Sequence, residues 1–484
     1  MDFDKSKKLI WKLAAAFWIL AVMIYLVAGT QFRYLPASND TLSPVSALGE
    51  VVDGMTVRQR MTVPADRLDN VEIMTTAFHR QNSGVITLTL TDENGQTLAV
   101  SRLDAAQVAH EDYSAFVLDK PLEGYRGKNL FMELTTQGCQ PGSAVSFYFG
   151  NSVLAGRFDV LMDIAPEDCF TLDGNPGAGK LCARLNGIEY LQFYKIYWLI
   201  VGGVFLVLAL LIFLWWKGAR AGKNNPLVMV CTAATKYDFL LRQLISRDFR
   251  SKYKRSVLGM AWSFLNPLLT MAVQYVVFST LFNSDTPNYP VYLLTGIVMF
   301  NFFSEAVSMG MTSITGNAAL INKVYVPKYI YPISRVISSM VNLGLSLIPL
   351  FLVMAITGTA FRPSLLLLIF DLGCLMMFVI GMVLILCTCM VFFRDTQFLW
   401  GVASMMWMYI TPIFYPESII PAQFLTLYHM NPMYQFITFA RICIIDGVSP
   451  APMAYLWCIL SSVVVLGIGV LIFKRHQSKF VLYL

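Results

Sequence analysis

The chain has 484 residues, of which 56% are hydrophobic and 14% are charged, and its formal net charge is +6 at pH 7. A mean hydropathy of +0.58 exceeds what a water-soluble core can bury, which excludes an ordinary soluble domain and indicates a membrane protein. The positive charges lie beside the ends of apolar segments, where they set orientation in a bilayer, so we expect no nucleic-acid binding.

Eight apolar segments are candidate membrane spans, because a helix needs about 17 to 25 residues to cross the hydrocarbon layer. In chain order they are 9–28, 196–216, 256–281, 289–315, 336–356, 365–390, 398–414 and 453–473. An even number places both termini on one side, and the Lys and Arg residues beside the spans favour the cytoplasm. We therefore expect a multi-pass protein of the plasma (cytoplasmic or inner) membrane with both termini inside.

The first segment, 1–28, is compatible with a cleaved signal peptide or with a retained signal anchor. Its apolar run is longer than the roughly 7 to 15 residues of a signal-peptide core, which favours a retained anchor span.

Residues 29–193 differ in composition, being polar and rich in turn residues, and predict a separate extracytoplasmic domain. Alternating Ile, Leu and Thr residues over 83–100, with Asn94-Gly95 between them, predict a β-hairpin closed by a tight turn. Further short alternating runs predict strands at 55–63, 71–78, 130–134 and 145–149.

The predicted domain is therefore all-β, a sandwich or jelly roll. Its likeness to carbohydrate-binding modules exists only at the level of the fold, so glycan binding and a structural or assembly role both stay open.

Three features of this sequence are weak signals for a disulfide, a phosphate-binding loop or a metal site. Cys169 and Cys182 flank a Gly-rich loop at a spacing that permits a disulfide, and Cys139 is then left over. The loop itself, 174–180, resembles a phosphate-binding loop, but Leu181 stands where magnesium needs Ser or Thr, so we interpret it as an ordinary turn. The histidines are scattered and predict no metal site: His79, His110, His429 and His476.

After the second span, 194–216, residues 217–255 form a linker that ends in a basic amphipathic helix. Apolar residues recur at helical spacing over 237–253, which is typical of a helix lying flat on the membrane surface. Its cationic residues are Arg247, Arg250, Lys252, Lys254 and Arg255.

Residues 256–484 contain the remaining six spans, which form a compact core. Residues 418–440 are also uncharged, but Pro421, Asn431 and Pro432 interrupt them. A further full crossing would place the basic C-terminal tail outside, so we expect a re-entrant pair of short helices. Glu305 and Asp371 fall inside spans and should face protein or water, either in a pathway or paired with Arg394 or with backbone donors.

From about residue 237 onward the chain resembles the permease subunits of ATP-binding-cassette polysaccharide exporters, the O-antigen, capsule and teichoic-acid class. The resemblance depends on these segments in this order: 247–248, 253–259, Trp262, 266–267, 302–305, 317–321, 323–324 with Pro327, 393–395, 411–413 and 431–432. Members of that family usually have six spans and no large outer domain, so spans one and two and the β domain are additions.

The resemblance implies a homodimer whose spans line a channel, with two copies of a nucleotide-binding subunit that bind ATP and Mg²⁺ in place of this chain. The cargo would be a lipid-linked glycan moving outward. Aromatic side chains in or near the spans offer flat faces to sugar rings, although each could instead pack against helices or lipid. With Glu305, the predicted channel residues are Trp262, Phe264, Tyr275, Phe300, Phe302, Phe303, Trp400, Trp407, Tyr409 and Phe414.

The resemblance also implies a segment that docks on the nucleotide-binding subunit, for which 317–332 is the candidate. Its predicted contact residues are Asn317, Leu320, Lys323, Val324, Tyr325, Pro327 and Lys328. A simple positive-inside anchor is the alternative, and the amphipathic helix could make a second subunit contact or bind anionic membrane lipid.

The alternative function is a membrane-bound enzyme that modifies lipid-linked sugars. Such an enzyme should show clustered carboxylates or histidines at a span end, and no convincing cluster is present in the sequence.

Overall fold

The computed structural model describes residues 3–39, 42–155, 158–161, 164–220, 237–253, 259, 261–282, 288–321, 326–417, 424 and 428–483. The chain forms two compact units: a helical unit built on Met1–Phe32 and everything from Phe193 onward that is described, and a β unit built on Arg33–Gln192. Each unit has its own hydrophobic core.

The helical unit supplies most of the apolar surface. Its helices are α1 Phe3–Ala28, α2 Phe193–Arg220, α3 Asp238–Tyr253, α4 Ala261–Phe282, α5 Tyr289–Met311, α6 Ala318–Ile321, α7 Ile330–Ile356, α8 Leu368–Phe392, α9 Thr396–Ile410, α10 Pro432–Arg441, α11 Pro452–His476 and α12 Phe480–Tyr483. Among the described residues, seven helical stretches are long and apolar enough to cross a membrane, and they contain α1, α2, α4, α5, α7, α8 and α11.

The eighth predicted span, 398–414, is too short as a helix. Helix α9 has 15 residues, about 22 Å at 1.5 Å per residue, whereas a crossing needs roughly 20 residues. It ends at Ile410, and Thr411–Glu417 continue as turns without regular structure. The described residues thus contain seven candidate spans where the sequence predicts eight.

The predicted re-entrant segment is partly described. Its second half is the ten-residue helix α10, in which Asn431 caps the N-terminus by accepting from the Met433 amide and Pro432 occupies the first helical position. A π-helical turn, Ile442–Asp446, follows directly. Residues 418–423 and 425–427 lie outside the described residues.

Glycine allows a close helix crossing between α8 and α11. A Cβ added to Gly381 would lie 2.6 Å from backbone atoms of Val465 and Leu466, and one added to Gly469 would lie 2.4 Å from the Gly381 carbonyl oxygen. The Ser462 hydroxyl donates to the Cys374 carbonyl at 2.7 Å in the same crossing. Small residues let the two backbones approach closely, as is common between membrane helices.

The two additional spans belong to this unit and pack by aromatic contacts. Tyr197 on α2 donates its hydroxyl to the Ala21 carbonyl on α1 at 2.7 Å. Phe32, just after α1, lies with its ring 6.0 Å from that of Tyr455 on α11. Spans one and two therefore join the same core as the other helices.

Every strand pair that the structure describes in the β unit is antiparallel. Its strands are β1 Tyr34–Ala37, β2 Leu42–Ser43, β3 Ser46–Ala47, β4 Thr56–Thr62, β5 Arg67–Thr76, β6 Val85–Thr91, β7 Thr97–Asp104, β8 Asp112–Glu123, β9 Asn129–Gln137, β10 Ser146–Gly150, β11 Ser152–Ala155, β12 Phe158–Leu161, β13 Thr171–Leu172, β14 Asn175–Pro176, β15 Lys180–Leu181 and β16 Ala183–Tyr190.

One sheet has the order β14-β13-β4-β9-β6-β7, and a second has the order β1-β16-β5-β10-β15, with β3 beside β10 and β8 beside β5. A small third sheet has the order β12-β11-β2. Inward-facing residues of both large sheets, such as Leu88 and Met132 from the first and Ile73 and Phe116 from the second, share one core. The predicted strands are thus present.

The predicted hairpin over 83–100 is confirmed, but its turn is longer than a two-residue Asn-Gly turn. Strands β6 and β7 pair from Thr91 opposite Thr97, so the loop runs from Asp92 to Gln96, with Gly95 at φ +81°. The Asp92 carboxylate accepts hydrogen bonds from the backbone amides of Asn94 and Gln96 at 3.0 and 2.8 Å. These hydrogen bonds, that from Gln96 most of all, lower the pKa of Asp92.

The possible disulfide is not formed, because Cys169 and Cys182 are both free thiols. The Cys169 sulfur lies 3.8 Å from the Ala165 carbonyl oxygen, whereas Cys182 is buried and its sulfur packs against Gly150. The Gly-rich loop between them leads into β15 and β16 instead of a helix, and Lys180 pairs with Asp168 at 3.0 Å. The interpretation of this loop as an ordinary turn agrees with the structure.

Candidate functional site

The helical unit contains a polar cavity of about 710 Å³ where the end of α5, the turn after it, the start of α7 and helix α3 meet. It is lined by Arg247, Asp248, Ser251, Glu305, Met309, Gly316, Asn317 and Arg335. Charged residues from three helices, α3, α5 and α7, converge in this cavity.

Asp248 lies at the centre of the charges, and its side chain is only 2% exposed. Arg247 Nη2 lies 2.9 Å from one carboxylate oxygen, and Arg335 Nη1 lies 3.2 Å from the other. A buried carboxylate is tolerated when guanidinium groups of this kind compensate its charge. The carboxylate therefore ties α3 to the first turns of α7.

Arg247 extends the network to the predicted docking segment. Its Nη1 donates to the Asn317 side-chain oxygen at 3.4 Å, and the Asn317 amide donates to the Ser313 carbonyl at 2.7 Å. The α3 helix is thereby held to the residues that lead out of α5.

Glu305 has an amide partner where the sequence suggested Arg394. Both carboxylate oxygens accept from Asn342 Nδ2, at 3.1 and 3.2 Å, and Asn342 Oδ1 accepts from the Ser263 hydroxyl at 2.8 Å. The three residues belong to α5, α7 and α4, so one polar chain connects three candidate spans.

The predicted partners of Asp371 are wrong. This side chain is fully buried in the first turn of α8, and neither carboxylate oxygen has a hydrogen-bond partner within the described part of the chain. Neither Arg394 nor a backbone donor fills that place.

Half of the predicted channel aromatics pack inside a single chain. Phe303 is fully buried and its ring lies 5.8 Å from Trp400, 5.1 Å from Trp407 and 5.9 Å from Phe378. The buried members of the predicted set are Phe300, Phe302, Phe303, Trp400 and Phe414. Packing against neighbouring helices, the alternative that the sequence left open, describes these five.

The other predicted aromatics remain accessible. Trp262 and Tyr275 on α4 and Tyr409 on α9 are exposed, while Phe264 and Trp407 are half-buried. Their contact with substrate stays a prediction.

The predicted docking residues are only partly described, because Lys323, Val324 and Tyr325 lie outside the described residues. Lys328 Nζ donates to the Gln477 carbonyl oxygen at 2.5 Å, and burial lowers its pKa. Leu320 packs in a cluster that includes Leu244 and Phe480, and Pro327 is half-buried. The docking segment is thus held by both α3 and the C-terminal tail.

The predicted amphipathic helix corresponds to α3, which buries part of its apolar face in protein, and its place on the membrane surface stays a prediction. Leu244 is buried in the same cluster, and Arg250 is exposed on another face. Lys252 belongs to α3, but its side chain lies outside the described part of the structure. Lys254 and Arg255 lie outside the described residues altogether.

Arg441 is a structural residue that the sequence alone did not predict. The side chain is buried, and its guanidinium lies 3.4 Å from the centroid of the Tyr292 ring. Its nitrogens donate to the carbonyls of Tyr292, Pro412 and Ile413. The Thr411-Pro412 dipeptide is the sequence feature that could have predicted this role. A proline there interrupts the helix and leaves backbone carbonyls that need a hydrogen-bond donor.

Comparison with known proteins identifies the helical unit. The family model described as ABC-2 type transporter matches residues 240–445, which leaves the β unit outside the match. The O-antigen export system permease protein RfbA of Myxococcus xanthus is 31% identical over 252 residues, 51% of this chain and 95% of that protein. A protein of the same name from Klebsiella pneumoniae is 29% identical over 245 residues, 50% of this chain and 93% of that protein.

The polysialic acid transport protein KpsM of Escherichia coli is 22% identical over 243 residues, 49% of this chain and 92% of that protein. These relatives are permeases, so the alternative of a sugar-modifying enzyme is excluded. The resemblance predicted from the motifs is confirmed, and the chain belongs to the ABC-2 type transporter family as a membrane-embedded permease, whose ATP hydrolysis is carried out by a separate ATP-binding subunit.

Proposed function

We propose that two copies of this chain form the channel of an ATP-driven exporter that moves a lipid-linked polysaccharide, of the O-antigen, capsule or teichoic-acid class, out of the cytoplasm. The names of the similar proteins, which export O-antigen or transport polysialic acid, support the polysaccharide class. ATP and Mg²⁺ would bind to two copies of the partner subunit, and both termini of this chain would be cytoplasmic.

One structural observation carries the channel proposal. Helix α9 ends after 15 residues, the irregular stretch Thr411–Glu417 follows, and the short α10 completes the described part of the segment. Irregular backbone at membrane depth is tolerated only against protein or a water-filled cavity. Within a single chain Thr411–Phe414 are buried against protein, whereas one flank of α9 is uncovered, and a second copy and an aqueous passage would cover that flank.

The uncovered flank has a composition suited to a sliding sugar chain. It consists of Phe398, Leu399, Val402, Met405, Met406 and Tyr409, all of which are exposed. Trp262 and Tyr275 add exposed aromatic rings on α4. Apolar and aromatic faces contact sugar rings without holding them by charge, which favours movement over retention.

The polar cavity gives the ATP-binding subunit a way to move the spans. A push on the docking segment would reach α3 through Asn317 and Arg247, and α7 through Asp248 and Arg335. From α7, Asn342 joins Glu305 on α5 and Ser263 on α4. The network thus connects the proposed docking surface to three spans by direct hydrogen bonds and ion pairs.

The test is a deletion strain of the native host complemented with the wild-type chain or with Tyr409→Ala, assayed for surface polysaccharide and for lipid-linked glycan inside the cell. We expect deletion to abolish the surface polymer and to accumulate its lipid-linked form, and Tyr409→Ala to reduce export while the protein still reaches the membrane. Exposed Phe361, which lies between α7 and α8, provides the control variant Phe361→Ala. Normal surface polysaccharide in the deletion strain would overturn the proposal.

Co-purification provides a second readout for the assembly. The tagged chain should retain an untagged copy of itself and an ATP-binding subunit in mild detergent. Recovery of a monomer without either partner would contradict the proposed complex even if glycan export were affected.

A further inference from the structure

Two of the four histidines of the chain meet in the β unit, although 31 residues separate them in sequence. His79 follows β5 and His110 precedes β8, and their Nε2 atoms lie 2.7 Å apart. The ring centroids are 3.6 Å apart with an angle of 62° between the planes. With centroids this close, the rings lie side by side, which differs from the linear donor–acceptor arrangement that a strong hydrogen bond prefers.

His110 is held by a buried partner. Its Nδ1 lies 2.9 Å from the hydroxyl oxygen of Thr76, a residue only 3% exposed. That oxygen also accepts from the Phe78 amide at 3.3 Å, and the Thr76 hydroxyl has the Tyr148 phenol as a further hydrogen-bond partner.

This network favours one tautomer. If Thr76 donates its proton to Tyr148, it accepts from His110 Nδ1–H, and His110 Nε2 is the unprotonated nitrogen, whose lone pair faces His79 Nε2. An imidazole fixed through its far nitrogen in this way is the usual arrangement of a metal-ligating histidine.

We propose that His79 and His110 form a binding site for a divalent transition-metal ion with tetragonal coordination. The site should bind Cu²⁺ more tightly than Ni²⁺. Metal–nitrogen bonds of about 2.0 to 2.1 Å place two adjacent ligands of a square-planar ion roughly 2.9 Å apart, and those of a tetrahedral ion roughly 3.4 Å apart. The observed 2.7 Å is closer to the square-planar value, and imidazole suits these ions.

The surroundings leave the site open to solvent and to a cation. His79 is exposed and His110 is half-buried. Glu111, next to His110, is also exposed and accepts from the Tyr148 hydroxyl at 3.2 Å. The nearby cation Arg80 is paired with Glu50. Among the described residues no group of three metal-binding side chains occurs, so water would complete the coordination.

Backbone geometry supports a specific arrangement of the two loops. Phe78, His79 and Glu111 all have positive φ, at 51°, 55° and 55°, a region that non-glycine residues rarely occupy. Such strain persists where the surrounding structure maintains it, often at binding sites. The loops on both sides of the pair are therefore held in uncommon conformations that bring the two imidazoles together.

The experiment uses the full-length chain in detergent, purified without a polyhistidine tag and stripped of metal, and titrated with Cu²⁺ against a competing chelator. We expect one high-affinity Cu²⁺ per chain, with weaker Ni²⁺ binding and no detectable Mg²⁺ binding, following the preference of imidazole ligands. His79→Ala and His110→Ala should each weaken Cu²⁺ affinity by at least tenfold. The matched controls His429→Ala and His476→Ala should leave it unchanged.

Electron paramagnetic resonance provides a readout that a structural role alone would not change. The bound Cu²⁺ should show hyperfine coupling to two imidazole nitrogens in the wild type and to one in either single variant. Equal affinity of the wild type and both variants, or a spectrum without two coupled imidazoles, would overturn the proposal and leave the pair as a simple surface contact. Export by the complex is not needed for either measurement.

Discussion

Arg441 lies with its guanidinium 3.4 Å from the centre of the Tyr292 ring and donates to the Pro412 and Ile413 carbonyls at 2.7 and 3.0 Å. One side chain on α10 therefore binds both α5 and the turn that ends α9. A desolvated cation over an aromatic ring contributes about 2 kcal/mol, and hydrogen bonds to a charged donor about 1.5 to 3 kcal/mol each. Arg441 thus fixes the irregular stretch that the proposed channel requires.

Replacing Arg441 by Met should destabilise the helical unit by roughly 3 kcal/mol or more, because buried carbonyls would lose their donors. The expected result is a lower Tm of the detergent-solubilised protein and a loss of surface polysaccharide. Arg362→Met is the matched control, since Arg362 is exposed and donates to the Asp446 carbonyl at 3.2 Å. Equal Tm values for the two variants would show that Arg441 does not stabilise the contact between α5, α10 and the turn after α9.

Replacing Asp248 by Asn should uncouple α3 from α7. The neutral side chain would leave Arg335 without its counter-ion, and breaking a buried pair typically destabilises by about 3 to 5 kcal/mol. We expect reduced export and weaker binding of the ATP-binding subunit, measured by co-purification. The exposed Asp395 at the start of α9 provides the control variant Asp395→Asn.

A charge-exchange variant separates the pair from a general loss of charge. Asp248→Arg with Arg335→Asp should recover part of the export that either single variant loses. No recovery, combined with normal membrane levels of the double variant, would show that the two residues act independently.

Export by Glu305 variants should depend on whether the new side chain can accept a hydrogen bond, and not on its charge. Glu305→Gln keeps an oxygen that can accept from Asn342, whereas Glu305→Ala removes this acceptor. We expect export to fall more in the Ala variant than in the Gln variant, with insertion into the membrane intact. Asn342→Ala should add little to Glu305→Ala in a double-mutant cycle; fully additive losses would contradict direct coupling.

Much of the architecture was predictable because its signals are local. Apolar length predicts α4, α5 and α8, and alternation with a turn predicts the β6–β7 hairpin, since both depend on neighbours in sequence. The position of Glu305 within a span was likewise sufficient to predict that it needs a polar partner.

The partners themselves were not predictable, because they come from distant segments. Asn342 is 37 residues from Glu305 in the sequence. The helices α4, α5 and α6 lie between Asp248 and Arg335 in the sequence. The burial of the aromatic residues was not predictable for a related reason: a Phe that packs in the core and a Phe that faces a channel have the same hydropathy. Only the packing of Phe303 against Trp400 and Trp407 distinguishes it from exposed Tyr409.

The β unit should lose stability in acid through Glu50. Its carboxylate accepts from the Gly142 amide at 2.7 Å and pairs with Arg80, and these contacts, the Gly142 bond first, lower its pKa below 4.5. The stabilisation is therefore complete above the unfolded-state pKa and is lost as the pH falls through the lower folded-state pKa. Hydrogen exchange around Gly142, corrected for intrinsic rates, should accelerate in acid.

Glu50→Gln tests that assignment. The variant should exchange faster than the wild type near neutral pH and at the same rate once the pH is below the folded-state pKa. Glu93→Gln, in the exposed loop of the β6–β7 hairpin, should behave as the wild type at every pH. A constant difference between Glu50→Gln and the wild type across the acid range would contradict an electrostatic origin.

The cysteines of the β unit should differ in reactivity because they differ in burial. Burial raises the pKa of Cys182 to about 12 and also raises that of Cys139, so almost no thiolate, the reactive form, is present near neutral pH. Cys169 is half-buried at the end of a 3₁₀ turn and should react first. Alkylation of the native detergent-solubilised protein at pH 7.5, followed by peptide mass spectrometry, should modify Cys169 and spare the other two until the chain is denatured. A disulfide-linked peptide joining Cys169 to Cys182 in the unreduced protein would contradict the free thiols, and equal labelling of all three would contradict the burial that separates them.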